Sequence, residues 1–69
     1  MSEGEAQTLL RQAASHLRVA AALFAAASEE IDDASLDMFT DTEYDDIENM
    51  RGRIVKELRE LTALLAKCT

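Results

Sequence analysis

Few residues in this chain of 69 could do covalent or acid–base chemistry, since it has one histidine, His16, and one cysteine, Cys68. Ser15 directly precedes His16, and an activated nucleophile needs its hydroxyl within hydrogen-bond reach of such a base. Neighbouring residues on a helix point about 100° apart, so these two side chains do not meet. We therefore predict that the protein is not an enzyme and has no catalytic residue.

Cys68 stands one residue before the end of the sequence, in the apolar phase of a predicted helix. We interpret it as an inert packing residue, with a reactive thiol or a disulfide to another chain as the alternative. A single cysteine excludes a disulfide within the chain, and free thiols are typical of reducing compartments. The first residues, Met-Ser-Glu-Gly-Glu, are acidic, whereas a secretory leader begins with basic residues. These features predict a cytoplasmic protein.

The acidic residues are concentrated in one segment: ten lie between Glu29 and Glu48, where there is no lysine or arginine. A calcium loop of the EF-hand type has oxygen ligands at alternating positions, glycine at the sixth and glutamate at the twelfth. Counted from Asp37, the twelfth residue is Glu48, but the third is Phe39 and the sixth is Thr42. The spacing therefore predicts no metal site.

The same segment contains Asp-Ala-Ser-Leu-Asp at residues 33–37, which is similar to the attachment region of acyl carrier proteins. Those proteins carry phosphopantetheine on a serine that directly follows an aspartate, with a Leu-Gly pair before it. Here Ala34 separates Asp33 from Ser35, and the Leu-Gly pair is missing. We therefore predict no phosphopantetheine, no other cofactor and no small-molecule substrate.

The elements that position these residues follow from apolar periodicity. In the first half of the chain, Leu10, Leu17, Phe24 and Ile31 stand seven apart and alternate with Ala6, Ala13, Ala20 and Ala27. Residues seven apart return to nearly the same side of a helix, so this ladder predicts a helix over residues 4–31. Ser2 followed by Glu5 matches a capping box at its start. The alternation of large and small side chains favours close, Alacoil-like approach of a second helix.

A second periodic segment follows a connection at residues 32–40. Thr40 followed by Glu43 offers an N-cap for a helix predicted over residues 41–67, with Asp41 as the alternative N-cap. Its apolar residues recur every three or four positions: Tyr44, Ile47, Met50, Ile54, Leu58, Leu61, Leu65 and Cys68. We predict an all-α protein, an antiparallel two-helix hairpin forming one domain over residues 1–69. The apolar residues of the connection (Leu36, Met38 and Phe39) then either cap the bundle or form an exposed hook.

The hairpin alone does not cover the first helix. Residues 19–27 form an apolar run of nine, so the helix is apolar around its circumference there, which is typical of a helix buried on several sides. A chain below about 70–80 residues also commonly needs oligomerisation, a metal or a disulfide for stability. We predict a four-helix bundle completed by a homodimer or a protein partner. The alternative is an exposed face on which alanine serves helix propensity alone.

Two sets of residues are the candidates for binding a partner. The interface set comprises Leu10, Ala13, Leu17, Ala20, Phe24, Ala27 and Ile31 on the first helix and Ile47, Ile54, Leu58, Leu61 and Leu65 on the second. The acidic tip comprises Glu29, Glu30, Asp32, Asp33, Asp37, Asp41, Asp45 and Asp46. Outside residues 29–48 the chain has four acids and all seven lysines and arginines, so the molecule is a charge dipole.

These features favour a protein–protein interaction subunit of the adaptor or small co-chaperone type. The alternative is an acidic, antitoxin-like inhibitor whose acidic tip occupies a basic nucleic-acid-binding surface of a partner. We expect no direct binding to nucleic acid, because a basic stripe is missing. We also expect no membrane span, because one needs about 20 apolar residues. Salt distinguishes the two hypotheses, since charge-driven binding weakens as ionic strength rises.

Overall fold

Two helices account for nearly all of the described chain. In the computed structural model, which describes residues 2–68, α1 runs over Glu3–Asp33 and α2 over Asp41–Ala66. They pack side by side as an antiparallel hairpin of 48 × 19 × 17 Å, and residues 2–68 contain no strand. The prediction of an all-α two-helix hairpin is confirmed. Compared with the predicted ranges, α1 is longer at both ends and α2 ends one residue earlier.

α1 extends past Ile31 because a C-terminal motif satisfies its last carbonyl groups. Ser35 adopts the left-handed conformation, with φ at 51°. The Ser35 N–H donates to the Asp32 carbonyl (N···O 3.3 Å), and the Leu36 N–H donates to the Ile31 carbonyl (N···O 3.0 Å). These are the two hydrogen bonds of a Schellman motif, which glycine most often supports. The chain therefore leaves α1 through a defined turn.

Side chains satisfy the first N–H groups of both helices. At α1, the Ser2 hydroxyl accepts from the Glu5 N–H (N···O 3.2 Å). At α2, the Glu43 N–H donates to the Thr40 hydroxyl (N···O 3.2 Å), and the Thr40 N–H donates to the Glu43 carboxylate (N···O 2.9 Å). Of the two predicted N-caps, Thr40 is therefore confirmed, with Glu43 completing a capping box, and Asp41 is the first residue of α2.

α1 packs on α2 along one line, which we term the seam. On α1 the seam consists of Leu10, Ala14, Leu17, Ala21, Phe24, Ser28 and Ile31, alternately four and three residues apart. On α2 the half-buried residues are Tyr44, Ile47, Arg51, Ile54, Val55, Leu58, Leu61 and Leu65. Ala14, 4% exposed, is the only fully buried residue within 2–68. Over the residues that the structure describes, the hairpin therefore has a contact line between its helices and no enclosed core.

The small residues of the seam come mainly from the alanine series that contains Ala14 and Ala21. Ala14 is buried and Ala21 half-buried, whereas in the predicted series Ala20 is half-buried and Ala13 and Ala27 are exposed. Two helices touch along one line, so α2 covers one of the two series that flank the bulky ladder more fully than the other.

Candidate interaction surface

The residues that could do chemistry are not brought together. Ser15 and His16 are both exposed on α1. Cys68 is a free, exposed thiol whose Sγ donates to the Leu64 carbonyl at 3.7 Å. Within residues 2–68, no group of three or more histidine, cysteine, aspartate or glutamate residues is arranged to hold a metal ion.

The eight residues of the acidic tip are all exposed. One further carboxylate of the segment, that of Glu48, is used structurally: Ser28 Oγ donates to its Oε1 at 2.8 Å, which joins the two helices. Glu48 also forms the single salt bridge within residues 2–68, with Arg51 at 3.5 Å. The acidic tip itself thus has no ion pair in the described chain, and its charge faces solvent.

The backbone of the connection at residues 34–40 is fixed by hydrogen bonds to one side chain, that of Tyr44. The Tyr44 hydroxyl accepts from the N–H groups of Met38 (2.8 Å) and Phe39 (3.3 Å) and donates to the Leu36 carbonyl (3.0 Å). The Phe39 ring meets the Tyr44 ring edge to face, with centroids 5.7 Å apart and planes at 76°. The backbone of the connection is therefore ordered around Tyr44, although the three apolar side chains that it carries stay exposed.

A second apolar series lies beside the seam on α1. Leu9, Ala13, His16, Ala20, Leu23 and Ala27 follow one another at alternate spacings of four and three residues. We term these six residues the lateral face, which lies about 90° around the helix from the seam at 3.6 residues per turn. Ala20 is half-buried and the other five are exposed, Leu9 by 50% and Leu23 by 65%.

The lateral face continues across the hairpin onto α2 through a shallow groove. The groove is lined by Leu17 and Phe24 from the seam, by Met50 and Ile54 of α2, and by a rim of Arg53 and Glu57. Met50 is 43% exposed, so its thioether side chain adds to the apolar area on this side. α2 also exposes Leu64 farther along. This side of the hairpin is therefore broadly apolar with a polar edge on α2.

The opposite side of the hairpin has a different character. Its groove is lined on α1 by Ala21 and Ala25 and on α2 mainly by polar and charged residues: Arg51, Gly52, Val55, Lys56, Arg59 and Glu60. Lysine and arginine stems can cover apolar surface while their charges remain in water. This side is therefore suited to solvent, and the lateral face is the better candidate for a partner.

The predicted interface set divides between the seam and the lateral face. Leu17, Phe24, Ile31 and the five predicted residues of α2 are half-buried in the seam, and Ala13, Ala20 and Ala27 belong to the lateral face. Leu10 stands in line with the seam but is 44% exposed. Leu9 and Leu23, the large members of the lateral face, are absent from the predicted set. The same heptad count begun at Leu9 would have found both of them.

Comparisons with known proteins found no significant match to this chain. No protein-family model matches the chain, and neither a curated protein nor a solved structure is significantly similar to it. Among residues 2–68, neither helix combines the length and the apolar character that crossing a membrane requires.

Proposed function

We propose that this protein is a non-catalytic helical interaction subunit, which completes a helical bundle by packing its lateral face against an apolar helix of a protein partner. The observation that carries the proposal is the exposure of Leu9 and Leu23 on a face with heptad spacing. Such spacing with alternating large and small residues is what helix-on-helix packing uses. An adaptor or a small co-chaperone in the cytoplasm is the kind of role that we propose.

The thin seam supports the proposal on energetic grounds. A 69-residue chain with one fully buried residue among residues 2–68 gains little from its own core. Full burial of a leucine contributes about 1.5–3 kcal/mol relative to exposure, so covering the half-exposed Leu9 and Leu23 contributes about 2–3 kcal/mol in total. That gain is a sizeable fraction of the marginal stability of a small domain.

The second candidate function is an acidic inhibitor, favoured by the solvent-facing charge of the acidic tip. Its carboxylates could occupy a basic, nucleic-acid-binding surface of a partner. Binding of that kind weakens steeply with salt, whereas binding through the lateral face persists. We rank it second because a charged run at a helix connection is also what solvation alone favours.

The test compares charge on the lateral face with charge elsewhere on α1. An affinity-tagged copy is expressed in the source organism, and the proteins that co-purify at low and high salt are quantified, including the untagged copy of this chain. We expect Leu9→Glu/Leu23→Glu to lose co-purifying protein at either salt concentration. The matched control is Ser15→Glu/Ala22→Glu, which adds equal charge at exposed positions away from both the seam and the lateral face.

A third variant, Asp41→Asn/Asp45→Asn/Asp46→Asn, removes charge from the acidic tip. The proposal predicts normal co-purification for it, whereas the inhibitor hypothesis predicts that binding is lost. Equal recovery of partners by the wild type and the Leu9→Glu/Leu23→Glu variant would contradict the assigned role of the lateral face. Circular dichroism of each variant shows whether its helices are intact.

A further inference from the structure

We propose that the partner on the lateral face is a second copy of this chain, bound antiparallel with the two-fold axis level with residue 18 of α1. The inference rests on the proposed function, because it uses the same face, and it adds the identity and register of the occupant. Shape, charge and surface area each support it.

The lateral face is complementary to itself when one copy is reversed. With the two-fold axis at residue 18, positions whose numbers sum to 36 lie opposite each other. Leu9 then meets Ala27, Ala13 meets Leu23, and His16 meets Ala20. Every large side chain faces an alanine of the other copy, which allows close approach of the two helices without overpacking. In a two-fold interface each such pair occurs twice.

The charge distribution selects the antiparallel arrangement. Residues 29–48 carry ten acids without a base, and the remainder of the chain has an excess of lysine and arginine. A parallel pair would bring two acidic tips together. The antiparallel pair places them at opposite ends of a molecule 48 Å long, several Debye lengths apart at physiological salt. The part of the other copy that lies beside each tip contains far fewer acids, Glu3, Glu5 and Glu60, and one base, Lys67.

The hairpin exposes more surface than a compact protein of the same mass, and the excess is about the area that a dimer interface buries on each partner. A compact monomer of 7.6 kDa exposes roughly 4,300 Å² by the scaling of surface with mass. This hairpin exposes 5419 Å². The excess is roughly 1,100 Å² per chain, and stable interfaces bury about 800 Å² or more per partner. Burial of the lateral face and its groove in a second copy would bring the exposed area close to that of a compact protein.

Cysteine cross-linking tests the register in the full chain, with Cys68→Ser as background to remove the native thiol. Three samples are oxidised with copper phenanthroline: Ala13→Cys alone, Leu23→Cys alone, and an equal mixture of the two. In the proposed register, positions 13 and 23 are opposite, whereas two copies of position 13 are about 15 Å apart along the axis at 1.5 Å per residue. We therefore expect a disulfide-linked dimer in the mixture and little in either single sample.

Light scattering of the Cys68→Ser chain provides the measure of mass, and circular dichroism shows that each variant is helical. We expect twice the chain mass at micromolar concentration. Cross-linking in each single sample that is stronger than in the mixture would mean a parallel pair, in which only the homodimers bring equal positions together, and would overturn the register. A helical monomer without cross-links would overturn self-association altogether. In that case, loss of other co-purifying proteins from Leu9→Glu/Leu23→Glu would still support the proposed function, so the two failures are distinguishable.

A charge reversal gives a second, independent test of the register. Glu5 and Glu30 flank the two ends of the lateral face, and the antiparallel register places Glu5 of one copy near Glu30 of the other. We expect Glu5→Lys to tighten the dimer by about threefold or more, since it replaces a repulsion with an attraction. Glu3→Lys makes the same change of charge on another side of the helix. Equal effects of the two variants would contradict the register.

Discussion

The seam and the lateral face are two apolar faces of α1, and α2 packs against only the seam. Both have alternate spacings of four and three residues, and both mix large side chains with alanine. The seam lies against α2 and contains the fully buried Ala14, with Leu10 at its end still 44% exposed, while the lateral face leaves Leu23 65% exposed. The difference shows that a heptad pattern identifies residues able to pack against a helix. Which of them are covered depends on how many helices are present.

The seam also tolerates a polar residue because its partner helix supplies an acceptor. Ser28 occupies a heptad position that holds alanine at Ala14 and Ala21, and its hydroxyl donates across the hairpin to Glu48. A buried or half-buried hydroxyl needs such a partner to avoid a desolvation penalty. The comparison therefore predicts that changes in the seam and connection alter folding of the hairpin, whereas changes on the lateral face alter association.

The largest effect is expected at Ala14, the one fully buried residue of the described part of the chain. Ala14→Leu inserts three heavy atoms between α1 and α2, so it should destabilise the hairpin by about 1–3 kcal/mol through overpacking. Ala26→Leu is the matched control, because Ala26 is exposed on α1 and surface changes stay within about 0.5 kcal/mol. Urea unfolding followed by circular dichroism measures both. Equal destabilisation would mean that α2 does not lie against Ala14.

The connection should be the next most sensitive region. Tyr44→Phe keeps the ring beside Phe39 but removes the hydroxyl that joins Leu36, Met38 and Phe39. We expect a loss of about 1–2 kcal/mol, because water can replace part of these exposed hydrogen bonds. Hydrogen exchange should also become faster at the Met38 and Phe39 amides. Unchanged exchange there would show that the hydroxyl does not order the connection.

A stabilising change is expected at the end of α1. Ser35 has a φ of 51°, a conformation that costs a residue with Cβ about 1–2 kcal/mol and that glycine adopts freely. Ser35→Gly should therefore stabilise the hairpin by about 0.5–1 kcal/mol after the entropy that glycine loses on folding. Ser35→Ala is the control, since alanine keeps the Cβ and should give no gain. Thermal unfolding of the two variants decides between them.

The smallest effect is expected at the hydrogen bond between the helices. Ser28→Ala removes the donor to Glu48, at a half-exposed site, and should cost about 0.5 kcal/mol. Glu48→Gln keeps an acceptor for Ser28 but removes the exposed ion pair with Arg51, so it should cost less still. A larger loss in Glu48→Gln than in Ser28→Ala would mean that the ion pair, and not the hydrogen bond, holds this end of the seam. Urea unfolding with precise midpoints is the measurement.

The local elements could be predicted from the sequence because their causes are local. Thr40 and Glu43 satisfy each other three residues apart, and the apolar periods of both segments have no proline to interrupt them. The Schellman motif at Ser35 was not predictable in the same way, since its sequence lacks the glycine that usually marks a left-handed residue. Nor was the position of the Tyr44 hydroxyl, which depends on how the connection folds back on α2.

The sequence by itself determined two capped helices, the ladder of large residues and the separation of charge, because spacing and composition along one chain fix these properties. Only the tertiary structure decided that Ala14 rather than Ala13 lies against α2. Two alanine series flank the same ladder, and their patterns differ by one position. The choice between them depends on the rotation of α1 relative to α2, which long-range packing sets. The same rotation leaves Leu9 and Leu23 on the exposed lateral face.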